Sequence, residues 1–240
     1  MSDEITPVSE ESVFRFLCDK CVPCFNECCR DLNQFLTPYD ILRIKNALVM
    51  TSTNFLSCYC REHTGPESGF PIISLKSVDT VELKCPFTTP AGCKIYDDRP
   101  SSCRLYPLAR GISRNRATGK ITEHYMLMRE PHCRGFEQDN PQPVNQWILQ
   151  QGLAVYNEMN DLLMDVISIK NQYSPGPMDM ATSRLFYMAC YDLDEFRPHL
   201  YIKGAMDNLK IDPDLLEAAK VDDVALLKIG MEAIRQTLLE

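Results

Sequence analysis

The sequence predicts a mainly α-helical protein with a small β component, an α+β fold in which a metal-stapled, cysteine-rich half precedes a helical half. Eleven of the twelve cysteines lie before residue 134. The residues that follow carry apolar side chains at three- and four-residue steps, which is the period of a helix. We expect residues 1–12 to be a polar tail, residues 13–136 to be a metal-binding domain, and residues 137–240 to be a helical region packed on that domain.

The composition is that of an ordinary acidic, soluble protein. The 240 residues are 45% hydrophobic and 24% charged, and their net charge of -8 argues against non-specific binding to nucleic acid. No apolar run approaches the roughly 18 residues that span a bilayer, and the polar N-terminus is unlike a secretory signal. We therefore expect a cytoplasmic protein with no membrane partner. Disulfides are rare in the cytoplasm, so the cysteines are interpreted as metal ligands or redox thiols.

Local signals predict two short helices in the cysteine-rich half. Thr37, Pro38 and Asp40 form a helix start, with a threonine cap, a proline in the first turn and an acidic residue after it. Apolar residues then recur at helical spacing as far as Val49. A second short helix is predicted over residues 53–59.

The β component is predicted from the residues between the two cysteine clusters. The segment 72–83 is rich in β-branched residues and predicts a small hairpin, and residues 95–96 predict another short strand. Asp98 is expected to cap a brief helix that runs through Cys103 and ends before Pro107.

The second half is predicted to be helical almost throughout. A loop is expected over residues 174–179, SPGPMD. Cys190 lies between apolar residues and is interpreted as a core residue. The predicted helices are one long helix from Pro143 to beyond Ile167, one over residues 185–189, one over residues 196–209, and one that begins at an Asp222 cap.

The most informative feature is a run of five cysteines, Cys18, Cys21, Cys24, Cys28 and Cys29. The first four reproduce C-x2-C-x2-C-x3-C, a spacing used for iron–sulfur clusters, although a bacterial ferredoxin has proline at the fifth position. Spacings of two to four residues let a loop fold its sulfurs inward onto one ion or cluster. The last two cysteines are adjacent and point in different directions, so we expect one of them to serve a second site.

Four later cysteines stand near glycine or proline, which allow tight turns whose backbone N–H groups can face a thiolate. Four of the run and these four make eight, the number required for two four-cysteine sites. Cys58 and Cys60 are interpreted as non-ligands, and His132 as a surface residue. The candidate metal ligands are Cys18, Cys21, Cys24, Cys28, Cys29, Cys85, Cys93, Cys103 and Cys133.

A resemblance to a known family follows from three stretches of sequence: C-F-N-x-C-C, then L-T-P-Y-D-I-L-R-I-K, then C-P-F, G-C-x-I-Y-x-D-R-P-x-x-C-R-x-Y-P-L. Together they resemble the YkgJ family of cysteine-cluster proteins, described as zinc- or iron-chelating and often as Fe–S-cluster-containing. The resemblance covers roughly residues 14–136. The branch to which this chain is most similar often lacks a cysteine at position 21, so Cys21 is either a spare thiol or a replacement for Cys18 or Cys24. The ligands that the resemblance implies are Cys18, Cys24, Cys28, Cys29, Cys85, Cys93, Cys103 and Cys133.

Three functions stay open at this point. The first is a protein that holds one or two iron–sulfur clusters, such as 4Fe-4S, and transfers electrons to a redox partner or supports a partner enzyme. The second is a structural zinc protein whose helical half binds a protein partner, because a cysteine-only ligand set suits both metals. The third is a protein lysine N-methylase, since flagellin lysine N-methylases are similar over the cluster, which is fold-level analogy. No catalytic residue can be assigned, so whether the chain is an enzyme is open.

Overall fold

The computed structural model describes residues 4–30, 33–79, 81–115, 118, 120–202 and 209–239, and its fold is α+β, as predicted. Within those ranges, no helix combines the length and the apolar character needed to cross a bilayer. The strands are β1 (Glu4–Val8), β2 (Val13–Arg15), β3 (Phe35–Leu36), β4 (Cys60–Thr64), β5 (Pro71–Leu75), β6 (Thr88–Thr89), β7 (Gly92–Cys93), β8 (Leu108–Arg114), β9 (Ile121–Arg129) and β10 (Pro141–Pro143). The helices are α1 (Pro38–Ala47), α2 (Ser52–Tyr59), α3 (Ser101–Leu105), α4 (Val144–Gln150), α5 (Ala154–Tyr173), α6 (Met180–Phe186), α7 (Leu193–Leu200), α8 (Pro213–Ala218) and α9 (Asp223–Thr237).

The chain forms two compact units, each assembled from two separate segments. The cysteine unit comprises residues 1–32 and 77–155, and the helical unit comprises residues 33–76 and 156–240. This division differs from the predicted boundary between residues 136 and 137. The difference arises because α1 buries its apolar face against α9. Residues 33–76, which include α1, therefore belong to the helical unit.

Antiparallel sheets frame the cysteine unit. One sheet has the strand order β1-β9-β8, and β1 pairs with β9 from Glu4 opposite Arg129 to Val8 opposite Tyr125. Residues 4–8 are therefore a strand, which differs from the polar tail predicted for residues 1–12. A second ladder joins β10 to β2, and β6 and β7 form a short hairpin.

Two local predictions in the cysteine unit were wrong. Residues Tyr96–Asp98 form a 3-10 turn rather than a strand. Helix α3 begins after Pro100, whose ring supplies no side-chain cap, and not at Asp98. The Asp98 N–H donates to the Ile95 carbonyl at 2.9 Å, so the chain turns here instead of extending into a strand.

An aromatic cluster anchors the chain just before the first cysteine. Phe16 is 1% exposed, and its ring centroid lies 5.5 Å from that of Trp147 and 5.8 Å from that of Tyr106. The Trp147 indole N–H donates to the Leu105 carbonyl at 3.1 Å. These contacts fix the path of the chain into Cys18.

In the helical unit, α1 begins as predicted. The Thr37 hydroxyl accepts a hydrogen bond from the Asp40 N–H, and the Asp40 carboxylate accepts one from the Thr37 N–H at 2.9 Å. Helix α2 also matches its prediction. The hairpin predicted over residues 72–83 was wrong, because β5 pairs with β4 and β3 in the order β3-β5-β4 and not with the residues that follow it.

The C-terminal helices differ from their prediction at several points: α7 ends at Leu200 and not at residue 209, α8 was not predicted, and the long helix is broken. The long helix predicted from Pro143 is interrupted, because Gly152 adopts a left-handed conformation with φ of 63° that ends a helix. Cys190 lies in a π-helical turn, Tyr187–Tyr191, and is 1% exposed, which confirms it as a core residue. Asp222 caps α9, as predicted. The helix predicted over residues 196–209 corresponds to α7, and residues 203–208 lie outside the described residues.

Candidate metal centre

The cysteine run folds as successive tight turns. The Val22 N–H donates to the Asp19 carbonyl at 3.1 Å, and the Phe25 N–H donates to the Val22 carbonyl at 2.9 Å. Asn26 has φ of 70° and leads into a 3-10 turn, Glu27–Cys29. Because the chain reverses every three residues, it keeps its thiols within a small volume at the surface of the cysteine unit, where they are exposed or half-buried.

Four thiols surround one small cavity. Tyr106 and His132 also line it, and its volume is about 10 Å³, which is about the space of one water molecule. We call these four residues the first cysteine group: Cys18, Cys24, Cys28 and Cys133.

Backbone contacts hold the first cysteine group together. The Leu17 N–H donates to the Gly135 carbonyl at 3.1 Å, which brings Cys18 beside Cys133. The Arg134 N–H donates to the Cys24 sulfur at 3.0 Å. Gly135 approaches so closely that a Cβ there would lie 2.6 Å from the Phe16 ring. Only glycine permits this approach, because any other residue would push the two segments apart.

The second cysteine group consists of Cys29, Cys85, Cys93 and Cys103. The charge on Cys29 raises the pKa of both Cys85 and Cys93, so these three thiols are neighbours. Cys103 and Cys93 both interact electrostatically with Arg99, and we assign Cys103 to this group for that reason. Cys103 also acts on Cys28, so the two groups lie side by side.

The second group is held by contacts between the cysteine run and the β6–β7 hairpin. The Cys85 N–H donates to the Cys29 carbonyl at 2.9 Å, and the Asn26 side-chain amide donates to the Thr89 carbonyl at 2.9 Å. Gly92 has φ of 116°, and a Cβ there would lie 3.1 Å from the Phe25 ring. The hairpin therefore docks on the end of the run and brings Cys85 and Cys93 to Cys29.

Three cysteines share one local geometry. The sulfurs of Cys85, Cys93 and Cys133 each accept a hydrogen bond from the backbone N–H two residues later, and this bond lowers the pKa of each thiol. Such N–H groups stabilise a thiolate whether or not a metal is bound, and they tune a metal site when one is. The neighbouring proline and glycine residues led us to predict backbone N–H groups facing these sulfurs.

Partial burial opposes ionisation of the thiols. It raises the pKa of Cys18 to about 11 and that of Cys85 to about 11. The Cys28 thiol donates to the Cys29 sulfur, which raises the pKa of Cys28 and lowers that of Cys29 to about 6. Four thiolates in one group therefore need a compensating positive charge, which a metal ion supplies.

Two buried hydroxyls fit the same chemistry. The hydroxyl oxygens of Tyr106 and Thr88 are buried without a conventional hydrogen-bond partner. Burial raises the pKa of Cys133 and of Cys85 overall, and this rise is opposed in part by the Tyr106 hydroxyl, which faces Cys133, and by the Thr88 hydroxyl, which faces Cys85 and Cys29. Each group thus has one buried donor that a thiolate would satisfy, so the residues present fit a thiolate-bound metal.

The described side chains do not yet converge on a single point. Among them, no three Cys, His, Asp or Glu residues already form a set that could hold a metal ion. Metal binding at either group therefore requires the sulfurs to turn inward, which rotation about χ1 allows for partly exposed cysteines.

The remaining candidates lie apart from both groups or at their margin. Cys21 is exposed, does not line the cavity, and its N–H donates to the Asp19 carboxylate at 2.8 Å. Cys58 and Cys60 belong to the helical unit. His132 lines the cavity, with its imidazole 3.7 Å from the Glu130 carboxylate. Sequence inspection gave no role to Tyr106 or Thr88; the only signal for Tyr106 was its place three residues after Cys103.

The comparison with protein families agrees with this geometry. Residues 18–134 match the family model CxxCxxCC, described as a "putative zinc- or iron-chelating domain". The match confirms the cysteine-cluster family predicted from the sequence motifs, and residues 18–134 form a domain of that family. The chain is accordingly a metal-binding protein of the zinc- or iron-chelating class. Neither the curated proteins nor the solved structures contain a significant match to this chain.

Proposed function

We propose that the cysteine unit holds two metal centres, one at each cysteine group, and that iron–sulfur clusters at these centres transfer electrons or support a partner enzyme. The observation that carries the proposal is the division of eight thiols into two groups of four. Cys28 and Cys29 are adjacent in the chain, yet Cys28 lines the cavity of the first group, whereas Cys29 does not line it and accepts a backbone hydrogen bond from Cys85, although its charge also reaches Cys18. Cys21 is left out of the ligand set.

The surroundings of the two groups are those that iron–sulfur clusters use. A bound cluster supplies one-electron transfer, and its potential is set by hydrogen bonds to sulfur, local charge and solvent exposure. The chain contributes backbone N–H groups at Cys24, Cys85, Cys93 and Cys133. The partly exposed thiols leave a route for a redox partner to approach. We also propose a cytoplasmic location, where the twelve free thiols would stay reduced.

A structural zinc protein is the second candidate, and one observation favours it. The cavity of the first group, about 10 Å³, is close to the size of a single atom, so one zinc ion needs less rearrangement than a cluster. Zinc has no redox chemistry. In that case the metal would stabilise the cysteine unit, and the protein would act by binding a protein partner.

Metal and sulfide analysis of the anaerobically purified full chain distinguishes the two candidates. The iron–sulfur proposal expects a brown protein that contains iron and acid-labile sulfide in comparable amounts. The matched control is Cys21→Ser, which leaves both groups intact and should keep the full metal content. A colourless protein that carries stoichiometric zinc, even after anaerobic reconstitution with iron and sulfide, would contradict the iron–sulfur proposal and support the zinc centre.

A further inference from the structure

Arg99 is a buried cation without a carboxylate partner among the described residues. It is 8% exposed, and its guanidinium carbon lies 3.8 Å from the centroid of the Tyr96 ring. Its Nη1 donates to the Tyr96 carbonyl and its Nη2 to the Gln151 side-chain carbonyl, each at 2.5 Å. These partners satisfy the donors but are neutral. A buried charge is costly unless an opposite charge is near, so the counter-charge of Arg99 must come from elsewhere.

The neighbours that can carry negative charge are thiols of the second cysteine group. The guanidinium interacts electrostatically with Tyr96, on whose ring it lies, and then with Cys103 and Cys93; Arg104 lies beside it, and Lys94 also acts on Cys93. The segment that carries it is fixed, because Arg104 Nε donates to the Arg99 carbonyl at 3.3 Å and Arg104 Nη1 donates to the Gln151 carbonyl at 2.9 Å. Arg99 is thus held at one edge of this group.

The first cysteine group has a different electrostatic environment. One cation beside it, Arg134, interacts with Cys24, but its side chain is 53% exposed and pairs with Glu137 at 2.7 Å. The charge of Asp19 raises the pKa of Cys18, so an acidic residue also faces this group. An exposed, paired cation is screened by solvent, whereas the charge of a buried one is screened less.

We propose that Arg99 is the buried counter-ion of a metal centre at the second cysteine group and a positioning residue for its thiolates. The inference rests on the proposed pair of centres. When four thiolates bind one divalent ion, the group has a net charge of −2. A fixed positive charge beside it stabilises that state. The two centres therefore differ in affinity, although each has four cysteines.

The test uses Co(II) alone as the probe, because tetrahedral cobalt thiolates report both affinity and the sulfur environment by absorption. The metal-free full chain is titrated in competition with a chelator, in two backgrounds. Cys133→Ser keeps only the second group intact, and Cys93→Ser keeps only the first. In the Cys133→Ser background, Arg99→Gln should weaken Co(II) binding by about 10- to 100-fold, the usual effect of losing a residue that supports a metal ligand.

The sulfur-to-cobalt charge-transfer band separates an electrostatic role from a structural one. Removing a positive charge raises the energy of the sulfur electrons, so Arg99→Gln should move the band of the second group to lower energy. Arg99→Lys loses the two-armed hydrogen bonding but keeps the charge, and it should restore most of the affinity and the band position. The matched control is Arg134→Gln in the Cys93→Ser background, which should change little.

Each outcome decides the matter. Failure of the unmodified chain to bind two equivalents of Co(II) as thiolate complexes would refute the two centres, and the role of Arg99 with them. If two equivalents bind, the role of Arg99 is refuted by an unchanged affinity and band in Arg99→Gln. It is also refuted by equal losses in Arg99→Gln and Arg99→Lys, since these would mark a role in shape alone. The role of Arg99 is supported if Co(II) affinity falls in Arg99→Gln but not in Arg99→Lys, and falls at the second group only.

Discussion

Adding one methyl group at Gly135 tests whether close packing of two chain segments holds the first cysteine group together. A Cβ at this position would lie 2.6 Å from a Phe16 ring carbon and 2.8 Å from the Leu17 carbonyl oxygen, whereas real Cβ contacts are essentially never under 3.0 Å. Over-packing of this kind typically costs 1–3 kcal/mol. We expect Gly135→Ala to cost about 3 kcal/mol, because one of the atoms in the way is backbone and cannot swing aside.

Fluorescence of the single tryptophan measures this loss in the cysteine unit, because Trp147 lies 5.5 Å from Phe16. With a urea m-value of 1–3 kcal/mol/M, a cost of about 3 kcal/mol lowers the unfolding midpoint by about 1–3 M. Gly111→Ala is the control: a Cβ there meets nothing nearer than the His124 carbonyl at 4.0 Å, and we expect a change within about 0.5 kcal/mol. Equal midpoints for the two variants would refute the packing argument.

The remaining predictions concern the ligands and the sheet of the cysteine unit. Because Cys28 and Cys29 have different neighbours, Cys28→Ser and Cys29→Ser should each remove one centre and keep the other; elemental analysis checks this, and loss of the same centre from both variants would contradict the assignment. Arg110 donates to the Glu123 carboxylate at 2.8 Å and lowers its pKa below the ordinary value of 4.5. This ion pair therefore stabilises the fold above pH 4.5 and is lost as the pH falls through the lowered pKa. The stability difference between the unmodified chain and Glu123→Gln should shrink below pH 4.5 in urea titrations, and a difference that does not vary with pH would rule out the linkage.

Helix starts were predictable from the sequence because their signals are local. The Thr37–Asp40 capping box and the Asp222 cap each lie within four residues of the bonds that they make. Pairings between distant segments were not predictable in this way. Residues 4–8, which form β1, were taken for part of a tail, since their partner β9 lies more than one hundred residues later. The β8–β9 hairpin was also missed, although its strands are neighbours in the chain.

The candidate ligands could be found from spacing, but their grouping could not. Sequence distance places Cys28 and Cys29 together, whereas their neighbours are set by Gly135 on one side and the β6–β7 hairpin on the other. Arg99 and Tyr106 stand in the motif D-R-P-x-x-C-R-x-Y-P-L, but the motif does not show which thiols they face. The roles of Arg99 and Tyr106 are inferred only from their burial and from the hydrogen-bond or charge partners that they lack among the described residues.

The peptide bond between Cys28 and Cys29 has a consequence for how metal fills the protein. Their Cα atoms are about 3.8 Å apart, as in any trans peptide, and these two adjacent residues belong to different groups. In the two-centre proposal, an ion bound by Cys28 would also restrict the backbone of Cys29. Binding at the second group would then cost less conformational entropy. This entropy effect favours filling both groups together, whereas the net charge of −2 that each loaded group would carry opposes it, so the ratio of singly to doubly loaded chains measures which effect is larger.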